Sequence, residues 1–247
     1  IGQLNFYDIK HKKMILKLIQ KIDNAIEYLF AHSINEKKFL SKYIKNKKIV
    51  CVDIGANKGN FIDLIINNFK VNKIYAFEPS LNNFLILKKD YQNAKIFLEK
   101  LAISDKKKKL DFYEYKLSSQ SSLYKQKKNN SAFDELENKY KIQSITLDDY
   151  FKNEKKRIDI CKVDVQGEEL SIIKGMKNLL KKKQITLVKI ELSFIQIYEK
   201  SSNHYLDIIN LLKKFDYELI TISKSKFQNQ NLFFLDAYFV HKNYVKN

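Results

Sequence analysis

The sequence predicts an α/β fold, a mostly parallel β-sheet with helices on both faces. Three observations predict it. Short runs rich in Ile and Val alternate with amphipathic segments in a β-α-β-α-β order. The runs are almost continuously apolar, as in strands covered on both sides. Four of them end at a carboxylate, namely Asp53, Glu78, Asp164 and Glu191. In an open parallel sheet the ligand lies outside the carboxyl ends of the strands, so four acids at that edge mark a site.

Residues 10 to 30 carry Ile15, Leu18, Ile19, Ile22, Ile26, Leu29 and Phe30 at helical spacing, which predicts an amphipathic helix packed on the main domain or a partner subunit. Ile49–Ile54 is the first strand and stops at Gly55; Phe61, Leu64, Ile65 and Phe69 give the helix after it. Lys73–Phe77 is the second strand, closed by Glu78-Pro79 and followed by a helix through Phe84, Leu85 and Leu87. Lys95–Ile103 is the third strand. From Lys106 to Tyr150 the chain turns polar; Leu110–Leu117 alternates weakly as an extra strand, and Ser118–Asn130 reads as a mobile loop. The winding resumes with Ile158–Val163, a helix from Leu170 to Leu180, a strand over Gln184–Ile190 and a helix from Tyr205 to Phe215. Tyr217–Ile222 and Leu232–Val240 are expected as an antiparallel pair closing the sheet edge. The expected organisation is an N-terminal helical extension over 1–46 and one domain over 47–247, with 106–150 inserted.

The 247 residues are 45% apolar, enough to bury a full core. Cys51 and Cys161 both lie in apolar runs, which argues against a disulfide scaffold and for a reducing, cytoplasmic compartment. No run reaches the length of a membrane span, and no charged-apolar-small signal peptide opens the chain. The first residue is Ile1, and the sequence leaves open whether the chain is a fragment. The formal charge of +18 invites nucleic acid as a partner. Against it, Arg157 is the only arginine, so the bidentate side chain preferred for phosphate and base contacts is nearly absent. Nucleic acid is therefore disfavoured, a small-molecule or glycan acceptor preferred, and association into a homo-oligomer left open.

Glycine is scarce, so Asp53-Ile54-Gly55-Ala56-Asn57-Lys58-Gly59 stands out. A dinucleotide loop would need a second glycine where Asn57 stands, and the phosphate-loop pattern is absent. What remains is a glycine turn beside a helix N-terminus, which favours a carboxylate, with Asp53 placed to hold an ammonium group. That suits an amino-acid-like zwitterion such as the methionine end of S-adenosylmethionine. Glu78, at the next strand end, is placed to accept the hydroxyls of a ribose, and Pro79 restrains its backbone. Lys162 and Asp164 share a strand face, as do Lys189 and Glu191, because each pair is two residues apart. Such lysines in apolar strands need partners.

These residues resemble a known family. Asp53–Gly59, Ala76-Phe77-Glu78-Pro79, Leu101–Asp105, Ile145–Asp149 and Lys162-Val163-Asp164-Val165-Gln166-Gly167-Glu168-Glu169-Leu170 with Lys174-Gly175 are similar, in order and spacing, to FkbM-type methyltransferases. The resemblance runs from about Lys47 to Glu191, more weakly to Lys242. It departs at Gln166, where the family commonly has glutamate; the amide keeps hydrogen bonding and loses the charge. The resemblance implies a Rossmann-like seven-stranded sheet of the class I methyltransferases, with S-adenosyl-L-methionine as cofactor. It implies a cofactor site at Asp53, Gly55, Asn57, Gly59 and Glu78, with adenine near Leu101 and Ala102. It also implies O-methylation of a hydroxyl on a sugar, glycan precursor or secondary metabolite.

Methyl transfer to a hydroxyl needs alignment and removal of a proton. Asp164 and Glu191 are the expected bases, Lys162 the residue that orients or tunes them, and His204 an outside candidate. The alternatives are an RNA methyltransferase using the basic surface and a non-catalytic binding module on the same fold. Asp164 is followed by Val-Gln-Gly, not by the D-P-P-Y-like motif of amino-nitrogen enzymes, and neither cysteine stands in a Pro-Cys loop. The four histidines are scattered, so no metal site is assigned, although strand-end carboxylates leave room for a magnesium ion.

Overall fold

The computed structural model describes residues 35–127, 135–154, 156–201, 203–228 and 230–245. The expected helix over residues 10 to 30 lies outside them.

A short helix, α1 (Glu36–Tyr43), capped by Asn35, leads into the sheet. The main elements follow as β1 (Ile49–Ile54), α2 (Asn60–Asn68), β2 (Val71–Phe77), α3 (Leu81–Asp90) and β3 (Ile96–Glu99). Next come β4 (Ala102–Ile103), β5 (Lys108–Tyr115), a 3-10 turn at Ser118–Gln120, β6 (Leu136–Ile145) and α4 (Leu147–Tyr150). The second half holds β7 (Ile158–Val163), α5 (Glu169–Gly175), α6 (Lys177–Lys181), β8 (Ile185–Ser193), α7 (Tyr205–Lys213), β9 (Tyr217–Gln228) and β10 (Asn231–His241).

The main sheet has seven strands in the order β3-β2-β1-β7-β8-β10-β9. The first five are parallel, and β10 runs antiparallel to both β8 and β9. The expected terminal pair is present, with β10 inserted between β8 and the edge strand β9. Every residue of β1 is buried, because both of its faces are covered. Ile49 and Cys51 face a core shared with α1 and α2; Val50, Val52 and Ile54 face the core under α5 to α7. The order reverses between β1 and β7, and that crossing point opens the crevice for a ligand.

Three expectations change in detail. The single third strand over Lys95–Ile103 divides: Ile96–Glu99 pairs with β2, then the chain leaves the sheet and Ala102–Ile103 joins a second sheet of order β4-β6-β5. The polar stretch after Lys106 contains a long hairpin in which β5 pairs antiparallel with β6. Most of β6 is exposed, so it carries no apolar alternation from which a strand is read. The long helix expected after Gly167 also breaks at Met176 into α5 and α6.

Candidate active site

The crevice at the strand ends is one cavity of about 660 Å³. One half is built by the β1–α2 turn. Gly55 and Ala56 both donate their N–H groups to Phe77 O, at 3.0 and 3.1 Å. Gly55 has φ +80°, and a Cβ there would stand 1.9 Å from Asp164 O. Glycine is therefore required by the neighbouring chain, which crosses directly over it. Asn57, also at positive φ (50°), donates its N–H to Glu78 Oε2 at 2.7 Å. The other oxygen of Glu78 accepts from Ser80 N–H at 2.8 Å. Glu78 is 5% exposed, and burial pushes its carboxyl up to about 7. Phe77, Leu101, Ala102 and Phe112 give this half an apolar wall.

The centre is built from β7 and β8. Lys162, whose side chain is 12% exposed, donates to Asp53 Oδ1 at 3.1 Å and to Gly55 O at 2.9 Å. Its ammonium also lies 3.6 Å from Asp164 Oδ2. Burial opposes the charge on Lys162, but Asp53 and Asp164 outweigh burial and raise its proton affinity. The side chain of Asp164 is 35% exposed and faces the cavity. Gln166 joins Asp164 to Glu191: its Nε2 is 3.3 Å from Asp164 Oδ1 and 2.8 Å from Glu191 Oε1. Burial, then the carboxylates of Asp164, Glu169 and Asp236, push Glu191 well above the ordinary range.

The structure thus brings Gly55, Asn57, Glu78, Leu101, Ala102, Lys162, Asp164 and Glu191 to one cavity wall. It does not bring Asp53 or Gly59 there. Asp53 is fully buried and meets the cavity only through Lys162. Gly59 opens α2 at φ +92°, where a Cβ would stand 2.3 Å from the Tyr91 hydroxyl oxygen and 2.4 Å from its ring. His204 precedes α7, its ring stacked on Tyr205, away from the cavity wall. The expected likeness between Lys189–Glu191 and Lys162–Asp164 is incomplete. Lys189 bonds Glu36 at 2.7 Å and lies 3.2 Å from Asp236. Among the described residues no group of three or more His, Cys, Asp or Glu is placed to hold a metal ion.

Several lining residues escaped the sequence reading. Glu36 is 153 positions from its partner Lys189, a separation no local pattern spans. Ser118–Ser121, in the segment read as a mobile loop, line the cavity, and Ser118 Oγ donates to Asn57 Oδ1 at 3.1 Å. The described part of that segment is tied down: Tyr124 O–H donates to Glu168 at 2.5 Å, and Gln126 pairs with Tyr198. Phe233 and Phe234, from β10, complete the far wall with Ile197 and Tyr198.

The model of the methyltransferase FkbM domain matches residues 53–219. No curated protein matches the chain in sequence. Among solved structures, the fold is similar to an FkbM methyltransferase from Methylobacillus flagellatus, with a TM-score of 0.51 and 17% identity, covering 78% of this chain and 44% of that one. This chain therefore spans less than half of that protein's length. An rRNA methylase from Streptococcus thermophilus has a TM-score of 0.48 and 12% identity, covering 83% of this chain and 93% of that one. TrmK from M. capricolum, in complex with S-adenosyl-homocysteine, has a TM-score of 0.45 and 14% identity, covering 84% of this chain and 68% of that one. With the family model matched over most of its length, the chain belongs to the FkbM methyltransferase family.

Proposed function

We propose that this chain is an S-adenosylmethionine-dependent O-methyltransferase acting on a hydroxyl of a sugar, a glycan precursor or a secondary metabolite. The observation that carries the reading is one cavity joining a cofactor-shaped half to a carboxylate centre. The donor set fits the cofactor. Glu78 is a buried carboxylate facing the cavity, with lone pairs left for ribose hydroxyls. Leu101, Ala102 and Phe112 offer an apolar wall for adenine, and the Gly55–Lys58 backbone lines the cavity beside them for the methionine end. Asp53 and Gly59 support this half from behind, Asp53 by holding Lys162 and Gly59 by turning the chain into α2.

When bound, the cofactor supplies an electrophilic methyl group. The chain must bind the acceptor, align its oxygen and remove its proton. Asp164, the half-buried carboxylate facing the cavity at the central strand end, takes that proton on a carboxylate oxygen, with Glu191 as the alternative base. Lys162, its ammonium 3.6 Å from Asp164 Oδ2, fixes the position of that carboxylate. Ser118, Ser119, Gln120 and Ser121 offer hydrogen-bonding groups to a polyhydroxy acceptor, and Phe233 and Phe234 an apolar surface. A cytoplasmic place of action is part of this reading and is supported by two free, buried cysteines.

The net charge favours RNA as a second acceptor class, but Asp164, Glu168 and Glu191 crowd the cavity where a phosphate would have to enter. The deciding experiment is a radiolabelled methyl-transfer screen over glycan precursors, lipids and RNA at moderate salt. Label on a hydroxyl of a small acceptor supports the proposal. Label on RNA alone replaces it with the second reading, and cofactor binding without transfer to any acceptor points to a binding module.

A further inference from the structure

We propose that Gln166 is a positioning residue of this site: its amide, aimed by Tyr198, holds Glu191 beside Asp164 and keeps Asp164 turned to the acceptor. The inference rests on reading these two carboxylates as the reacting pair.

Three anchors fix Gln166. Its backbone stands at φ +60°, a region costly for a residue with a long side chain. Its main-chain carbonyl accepts from Ser122 Oγ at 2.6 Å. Its side-chain oxygen accepts from Tyr198 O–H at 3.0 Å, and that hydroxyl is also 3.1 Å from Gln120 O. Two ionisable carboxyls face the other end of the amide, at 2.8 and 3.3 Å. Ionised carboxyls only accept, so with both ionised Nε2 faces them and Oε1 faces Tyr198, whose single proton lies between Oε1 and Gln120 O. The amide has two N–H groups and two carboxylates to serve. Among uncharged side chains only the carboxamides of Gln and Asn offer two donors and an acceptor in one plane, and Gln has the longer reach. The chain Gln120–Tyr198–Gln166–Glu191 also links the turn on the acceptor side to the reacting centre.

An amide donor favours the ionised form of Glu191, and its removal leaves burial and the neighbouring carboxylates unopposed there. The test follows the titration of Glu191 by carbon NMR in protein labelled at the glutamate carboxyls, with the signal assigned through Glu191→Gln. Gln166→Met keeps the length and deletes the amide; Gln166→Glu adds a third carboxylate. In both, the Glu191 midpoint should rise by about one pH unit, a tenfold change in proton affinity. Tyr198→Phe should move it in the same direction by less, and it serves as the deciding variant if a Gln166 variant fails to fold. Cofactor affinity, measured by calorimetry, should stay within about twofold, because Gln166 is not in the turn that holds the cofactor. A Glu191 midpoint that does not move in the folded variants overturns the proposal. A wild-type chain that binds no cofactor sinks the methyltransferase reading instead, while the titration still reads the clamp.

Discussion

The Lys162 ammonium lies 3.1 Å from Asp53 Oδ1 and 3.6 Å from Asp164 Oδ2, so one cation ties a buried carboxylate of β1 to a half-buried one beyond β7. The register explains it. Asp53 is paired with Lys162 across β1 and β7, and Lys162 with Lys189 across β7 and β8. Tyr238 continues the row on β10. A single line of polar side chains crosses the apolar sheet at the level where the crevice opens, and each member is held by a neighbour.

Removing Lys162 isolates Asp53. Its second oxygen already has no hydrogen-bond partner, so Lys162→Met leaves a buried, uncompensated charge. The expected cost is about 3–5 kcal/mol of stability in urea unfolding. Burial already raises the Asp53 carboxyl, against the pull of Lys162. Without Lys162 it rises further, and the protonated form is the one the fold tolerates. A raised folded pKa gives stability that is present at low pH and lost as pH rises through it. The deficit of the variant should therefore be smaller at pH 5 than at pH 8; a deficit independent of pH would show that Asp53 is not the cause.

Glu78 should make cofactor binding depend on pH. Its carboxyl, raised to about 7, loses an acceptor on protonation, so affinity should fall as pH drops below about 7. Glu78→Gln should weaken binding by about 1.5–3 kcal/mol and remove most of this dependence. Calorimetry between pH 6 and 8 on both proteins checks it. The free protein should behave oppositely. Glu78 and Glu169 are both raised to about 7 by burial, so each adds stability on acidification from pH 8 toward 5.

Gly55 separates two explanations of a glycine turn. The sequence alone expects Gly55→Val to block the cofactor with little loss of fold, because a backbone without Cβ suits close approach of a ligand. In the structure the close approach is made by Asp164 O, and the positive φ adds strain for any other residue. Even Gly55→Ala should lower stability by about 3 kcal/mol or more and shift the urea midpoint accordingly. Unchanged stability with lost cofactor affinity would restore the simpler account.

The same contrast shows what was legible in the sequence. Strands β1, β7 and β8 and the second half of β2 are largely buried, so each left a mostly apolar run, and their carboxyl ends fell at Glu78, Asp164 and near Glu191. Strand β6 lies mostly in solvent and left almost no period, while the half-buried β5 left a weak one. Asp53 and Gly59 were legible as special residues, but their partners, Lys162 and Tyr91, are joined to them only by the fold. Gln166 was visible as a departure from a familiar motif. Its place between two carboxylates and Tyr198 depends on strands and loops that are far apart in the chain.

The base assignment is tested by Asp164→Asn and Glu191→Gln. Both substitutions keep shape and remove the ability to take a proton. Asp164 is the more exposed to the cavity and lies within 4 Å of the Lys162 ammonium; Glu191 is held from behind by Gln166. If Asp164 is the base, its asparagine variant should lose about a hundredfold to ten-thousandfold in kcat with cofactor affinity intact. Glu191→Gln should then cost less, because it removes the repulsion on Asp164 together with one hydrogen-bond acceptor. The reverse ranking would move the proton to Glu191. Near-normal turnover in both variants would mean that alignment of the acceptor carries the rate and that no single carboxylate is needed. Measuring kcat and cofactor affinity side by side, on an acceptor found by the methyl-transfer screen, separates these outcomes.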